Sequence, residues 1–172
     1  MRKSHKLLKP LVACFALAGL SSTLQAEEQP LMVDIKRLSM ESALTIAQAT
    51  IDQCRKEGVQ VAVTVMDRGG HPQVVLRDVL AGDLTLNISR QKAYTALSFN
   101  MATSDMEGRF TSPFSVGKVD GLVMSAGGLP ITAGGTIIGG VGVSGAPSGE
   151  TDEKCAQAGV DAISDELEMA AF

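Results

Sequence analysis

From Met40 onward the chain changes its hydrophobic period several times, and each change predicts an element. Leu44, Ala47, Ile51 and Cys54 recur at helical spacing, while Glu41, Gln48, Asp52, Arg55 and Lys56 keep the other faces polar. Ser39 is placed to cap this helix and Gly58 to end it, which predicts a helix over 40–57. Val59, Val61, Val63 and Val65 then alternate with Gln60, Ala62, Thr64 and Met66, the period of a strand with one strongly apolar face. Asp67-Arg68-Gly69-Gly70 reads as a hairpin turn, 73–77 as the return strand and 78–83 as a loop. A second helix is expected over 84–101, with Leu84, Ile88, Ala93, Ala96 and Leu97 near one face and Arg90, Gln91 and Lys92 as a polar patch. One further helical turn fits 103–110, and a loop fits 111–120. Strands follow over 122–126, 130–133 and 136–144. Thr151 is then placed to cap a last helix that opens with Asp152 and Glu153 and buries Ala156, Val160, Ile163 and Leu167. Helix, two strands, helices, three strands and helix make an α+β domain, its helices covering a largely antiparallel sheet and its first and last helices together on one face.

Glycine modifies this picture. Gly127-Gly128-Leu129-Pro130-Ile131 and Ile138-Gly139-Gly140-Val141-Gly142-Val143-Ser144-Gly145 place small residues where strand side chains would pack. Such positions admit another backbone, a bulge or a flat ligand, or they mark a tight hairpin in a crowded sheet.

Residues 1–26 are read as a leader rather than as fold. Met1-Arg2-Lys3 and Lys6 make a basic start, Leu11 to Leu20 an apolar run too short to span a membrane, and Ala26 a small residue at the cleavage point. Leu11-Val12-Ala13-Cys14 also has the form of a lipoprotein box, although Lys9-Pro10 leaves little apolar chain before it. Cleavage leaves residues 27–172 as a single exported domain, periplasmic or secreted. The net charge of −4, with no basic tail, no tryptophan and 3% aromatics, argues against a nucleic-acid partner.

Candidate chemistry is sparse. Cys54 and Cys155 remain after cleavage; they form either a disulfide between two antiparallel helices or two buried thiols, and they lack a redox Cys-x-x-Cys arrangement. His71 is then the lone histidine and cannot make a zinc site by itself. Val143-Ser144-Gly145 is not a nucleophile elbow, and Gly139-Gly140-Val141-Gly142 lies within a strand rather than between strand and helix, as a phosphate cradle would require. No catalytic constellation emerges. A binding site is easier to build: Arg77 ends a strand and Lys92 lies on the next helix, where cations can hold carboxylates. Thr103, Thr111 and Ser112 add hydroxyls beside Met101, Phe110 and Phe114, a mixture that suits a planar anion or ordinary loop packing.

The run Gly58-Val59-Gln60-Val61-Ala62-Val63-Thr64-Val65-Met66-Asp67-Arg68-Gly69-Gly70 resembles the first strand and turn of the GlcG/HbpS haem-binding family. Leu76-Arg77-Asp78, Ala81-Gly82, Arg90-Gln91-Lys92-Ala93-Tyr94-Thr95-Ala96, the two glycine-rich segments and Asp152 continue the likeness over nearly all of 27–172. The resemblance implies a profilin-like domain with a five-stranded antiparallel sheet, a tendency to form homo-oligomers, and haem as the ligand. Relatives also include a protein of glycolate operons and a domain attached to PduO-type corrinoid adenosyltransferases. It further implies iron ligands among His71, Thr103 and Thr111, with Arg77 and Lys92 pairing the propionates. A haem scavenger or buffer is the leading expectation. The alternatives are a module for a small organic acid such as glycolate, an oxidative haem-degrading enzyme, and a structural role in assembly.

Overall fold

Ser39 accepts a hydrogen bond from the Ser42 amide and starts helix α1, Met40–Lys56. The computed structural model describes residues 30–171, so the leader read over 1–26 lies outside the described residues. Residues 30–34 fall with the N-terminal unit Met1–Asp34 and carry no helix or strand; every element named below belongs to the unit Ile35–Phe172. The chain continues through β1 (Ala62–Asp67), β2 (Pro72–Arg77), α2 (Leu84–Phe99), β3 (Gly128–Ala133), β4 (Thr136–Ser144), α3 (Gly149–Asp161) and α4 (Ser164–Ala170). Short 3₁₀ turns at Ser104–Met106 and Val116–Lys118 interrupt the long α2–β3 connection.

Among the described residues the sheet is antiparallel throughout with strand order β2-β1-β4-β3, four strands rather than the expected five. Residues 122–126 are irregular because side chains, not a neighbouring strand, take their amides: Val123 donates to Thr95 Oγ1 and Ala126 to Glu107 Oε1. The last helix is also corrected. Its cap is Ser148, which accepts from the Thr151 amide, and it breaks at Ala162 and Ile163 into α3 and α4.

Every residue of β1 is buried, so the strand is covered on both faces. Val61, Val63 and Val65 join Ala43, Ile46, Ala47, Ile51, Cys155 and Ala156 in the main core beneath α1 and α3. On the other face, Met66 packs with Ala93 and Leu97 of α2, and the Thr64 and Ser89 hydroxyls bond at 2.9 Å. Leu44, expected in the α1 stripe, is instead exposed, and Leu84 is exposed at the start of α2.

The glycines explain how α2 can lie so close. A Cβ at Gly140 would sit 2.7 Å from the Ala93 carbonyl oxygen, and one at Gly128 would sit 2.5 Å from that of Lys92. At Gly142 the obstacles are the Ser89 carbonyl and the Ala93 amide nitrogen. The glycine-rich strands therefore form a hairpin against which a helix backbone seats directly. On the opposite face α1 and α3 pack together as expected, and Cys54 and Cys155 form a disulfide with Cα atoms 5.4 Å apart.

Candidate functional site

The polar residues gather at the two ends of β1, not in one cleft. At the Asp67 end, the β1–β2 turn wraps a carboxylate. Asp67 Oδ1 accepts from the amides of Gly69 at 2.8 Å and His71 at 3.0 Å, and His71 Nδ1 lies 3.4 Å away. Asp67 Oδ2 faces Arg37 NH1 at 3.8 Å. The His71 amide first, and then the Gly69 amide and the charges of His71 and Arg37, hold the Asp67 carboxyl below the usual carboxylate range against the effect of burial. His71 Nδ1 faces this carboxylate, and Nε2 lies on the other side of a ring whose side chain is 80% exposed. Arg37 and Lys36 also rim an apolar hollow of about 310 Å³ floored by Ala133, Ile138, Leu167 and Ala170. Lys36 Nζ donates to the Ala171 carbonyl at its edge.

At the other end, α2 and α3 meet past the edge of the sheet. Lys92 is 3% exposed, and its Nζ donates to Asp152 Oδ2 at 2.8 Å. Asp152 Oδ1 accepts from the Ala146 amide at 3.0 Å. Burial pushes the Asp152 carboxyl above its ordinary value, and Lys92 only partly offsets this. Gly127 threads beside the pair at φ +120°, where a Cβ would meet Lys92 Nζ at 2.7 Å. The polar patch expected on α2 thus loses Lys92 to the interior.

Thr103 is fully buried, and its hydroxyl accepts from the Gly128 amide at 2.8 Å. Its own amide donates to the Gly128 carbonyl, so it fastens the start of β3. Glu153 does similar work, accepting from the Gly127 amide at 3.1 Å and the Ser104 hydroxyl at 2.6 Å. Thr111 is exposed on the α2–β3 connection. Arg77 is exposed at the end of β2, where NH1 donates to the carbonyls of Asp78 and Ala81. It shares a hollow with Arg55 and Asp78 rather than with Lys92.

His71 and Arg77 therefore sit six residues apart at opposite ends of the β1–β2 ribbon, roughly 20 Å at the usual strand rise. Among the described residues no group of three or more His, Cys, Asp or Glu side chains is arranged to hold a bare metal ion. No helix among them is long and apolar enough to cross a membrane. Sequence reasoning did not connect Asp67 with His71, nor Arg37 with Asp67. The available signal was an aspartate opening a Gly-Gly turn four residues before His71, which is an Asx-turn spacing.

The comparisons with known proteins agree with this architecture. The family model described as "Haem degrading protein HbpS-like" matches residues 38–161, and the chain belongs to that family. The crystal structure of HbpS is 36% identical with a TM-score of 0.73, covering 79% of this chain and 96% of its own. The structure of a PduOC:haem complex is 26% identical with a TM-score of 0.67, covering 74% of this chain and 96% of its own. A Citrobacter freundii protein described as an uncharacterised 15.0 kDa protein of the dhaT–dhaS intergenic region is 29% identical over 76% of this chain and 95% of its own length.

Proposed function

We propose that this chain is an exported haem-binding protein that buffers or scavenges haem, with His71 as the iron ligand and Arg37 pairing a propionate. One observation carries the reading: an exposed imidazole whose Nδ1 is turned toward a buried-side carboxylate, leaving Nε2 open. Imidazole is the common protein ligand of haem iron, and a carboxylate beside its other ring nitrogen helps fix its orientation. Thr103 is excluded from that role in this reading because its hydroxyl is already bonded to Gly128 and sealed from solvent. Arg37 shares Asp67 with His71 and stands on the rim of the apolar hollow, so this side chain links the proposed iron ligand to the apolar surface. At about 310 Å³ the hollow lies at the low end for ligand pockets, so a second copy of the chain would complete the burial of haem. Export rests on the leader over 1–26. Membership of the HbpS-like family and the haem complex of a relative support the ligand class.

Hemin titration of the chain lacking residues 1–26 tests the proposal. A Soret shift saturating at one haem per protomer or per pair is expected, and His71→Ala should weaken binding by about tenfold or more, the equivalent of one lost ligand bond worth ~1.4 kcal/mol. Arg37→Ala should weaken it less. An unchanged hemin spectrum across a micromolar titration would remove the reading. Reductant-dependent loss of the haem spectrum with a released product would convert it to the degrading enzyme.

A further inference from the structure

The end of β2 carries an acceptor without a donor next to donors without an acceptor. The Asp78 side chain is 5% exposed, and its Oδ1 takes both Arg55 Nε at 3.1 Å and Arg55 NH2 at 2.6 Å. Its Oδ2 is sealed from water and has no hydrogen-bond partner among the described residues. Native proteins rarely leave a buried carboxylate oxygen in that state. Arg77 stands beside it with NH1 engaged by the carbonyls of Asp78 and Ala81, while Nε and NH2 make no hydrogen bond among the described residues. Both side chains line a hollow of about 160 Å³ with Arg55, Gln48, Ile51 and Leu76. The frame around it is well fixed: the Asp78 amide donates to the Val61 carbonyl, the Ala81 amide to the Asp78 carbonyl, and the Leu80 amide to Gln60 Oε1.

We infer that this hollow is a binding site for a small acid bearing a hydrogen-bond donor beside its carboxylate, a 2-hydroxy or 2-amino acid. The carboxylate takes the free edge of the Arg77 guanidinium, and the hydroxyl or ammonium donates to Asp78 Oδ2. Asp78 and Asp52, the latter 3.6 Å from Arg55, balance the two arginines, so a monoanion would be held by the local fork of Arg77 rather than by a net positive charge. The space holds about five water-sized groups, which admits glycolate, lactate, glycine or alanine, with Ile51 and Leu76 in its apolar lining. Oδ2 is sealed as it stands, so binding requires a side chain around it to shift, for which Arg55, 55% exposed and seated on the neighbouring Oδ1, is the nearest candidate by connectivity. The site is separate from the His71 corner and does not rest on the haem reading.

Isothermal titration calorimetry on the chain lacking residues 1–26 decides it, with glycolate, glycine, acetate and methylammonium as probes. Glycolate or glycine should bind about tenfold tighter than acetate, the value of one charge-assisted hydrogen bond of ~1.4 kcal/mol, and methylammonium should bind no better than acetate. Arg77→Gln should abolish acid binding with the thermal midpoint held. Asp78→Asn should bring glycolate and acetate to within about threefold of each other. Should Asp78→Asn not fold, Arg77→Gln and the acetate comparison still decide the matter. No heat from any acid at millimolar concentration, equal binding of acetate and glycolate, or undisturbed binding in Arg77→Gln would each overturn the inference and leave a water as the partner of Oδ2. Hemin binding without acid binding sinks this site alone; acid binding without hemin binding sinks only the haem reading.

Discussion

Replacing Gly142 by Ala isolates the feature on which the packing of α2 depends. The added Cβ would stand 3.1 Å from Ala93 Cα and closer still to the Ser89 carbonyl and the Ala93 amide, all backbone atoms of one helix. Carbon atoms prefer separations of about 3.5–4.0 Å from carbon and about 3.3 Å or more from oxygen, and the Ser89 carbonyl is the tightest obstacle, so α2 must withdraw by about 1 Å or more. A side chain could rotate away from such an intrusion, but a helix backbone cannot. The withdrawal stretches the buried Thr64–Ser89 hydroxyl bond of 2.9 Å and loosens the Met66, Ala93 and Leu97 contacts. Overpacking costs about 1–3 kcal/mol and an orphaned buried hydroxyl about 1–3 more, so a loss of roughly 3–5 kcal/mol is expected. That is a large share of the ~5–15 kcal/mol that holds a domain together. Gly82→Ala is the internal control: nothing lies within 4 Å of its Cβ and its φ is not left-handed, so the effect should fall within about 0.5–1 kcal/mol of wild type. Urea unfolding followed by far-UV circular dichroism is the assay, since the chain has no tryptophan. A Gly142→Ala midpoint indistinguishable from that of Gly82→Ala would refute the claim that α2 rests on bare backbone.

The buried pair makes a pH-dependent prediction. Lys92→Met should destabilise by about 3–5 kcal/mol at neutral pH, because it leaves a buried carboxylate unpaired. Asp152 is raised in the fold, so what it contributes is present below its ordinary value of 3.8 and lost as pH rises through the raised value; the Lys92→Met deficit should therefore shrink on acidification. Asp67 behaves oppositely: lowered in the fold, it stabilises above 3.8 and stops doing so as pH falls through its folded value, so Asp67→Asn should flatten the acid limb of the stability curve. Reducing Cys54–Cys155, which closes a span of 101 positions, should cost about 4–5 kcal/mol and lower the thermal midpoint by roughly 10 °C or more; equal midpoints with and without reductant would contradict it. Ser148→Ala should cost about 1 kcal/mol in urea through its lost cap, whereas Thr151→Ala should cost less.

Local pattern made most of the fold legible. Valine alternation, the Asp-Arg-Gly-Gly turn and the cap at Ser39 are signals a strand, a hairpin and a helix carry within a few residues. The misreadings share a different origin. Residues 122–126 have strand composition but no free strand beside them, and pairing is a property of the whole sheet. Lys92 was read as surface because it is charged. Its place between Ser89, Ala93 and Ala96 on one helical face pointed inward, yet only Asp152, sixty positions away, makes that burial tolerable. The Cys54–Cys155 alternatives were resolved by the packing of α1 on α3. The site divided in a similar way. His71 stands out in the sequence as the one histidine after the leader, whereas Arg37, which shares Asp67 with it, and the union of Arg55, Arg77 and Asp78 arise from segments that sequence order keeps apart.

The disulfide has one more consequence. Cys54 precedes and Cys155 follows the exposed stretch around Phe114, so a protease cutting there would yield two pieces that still migrate as one until a thiol is added. A nick in that stretch would leave the halves tethered at high local concentration, so that the fold could outlast the cut.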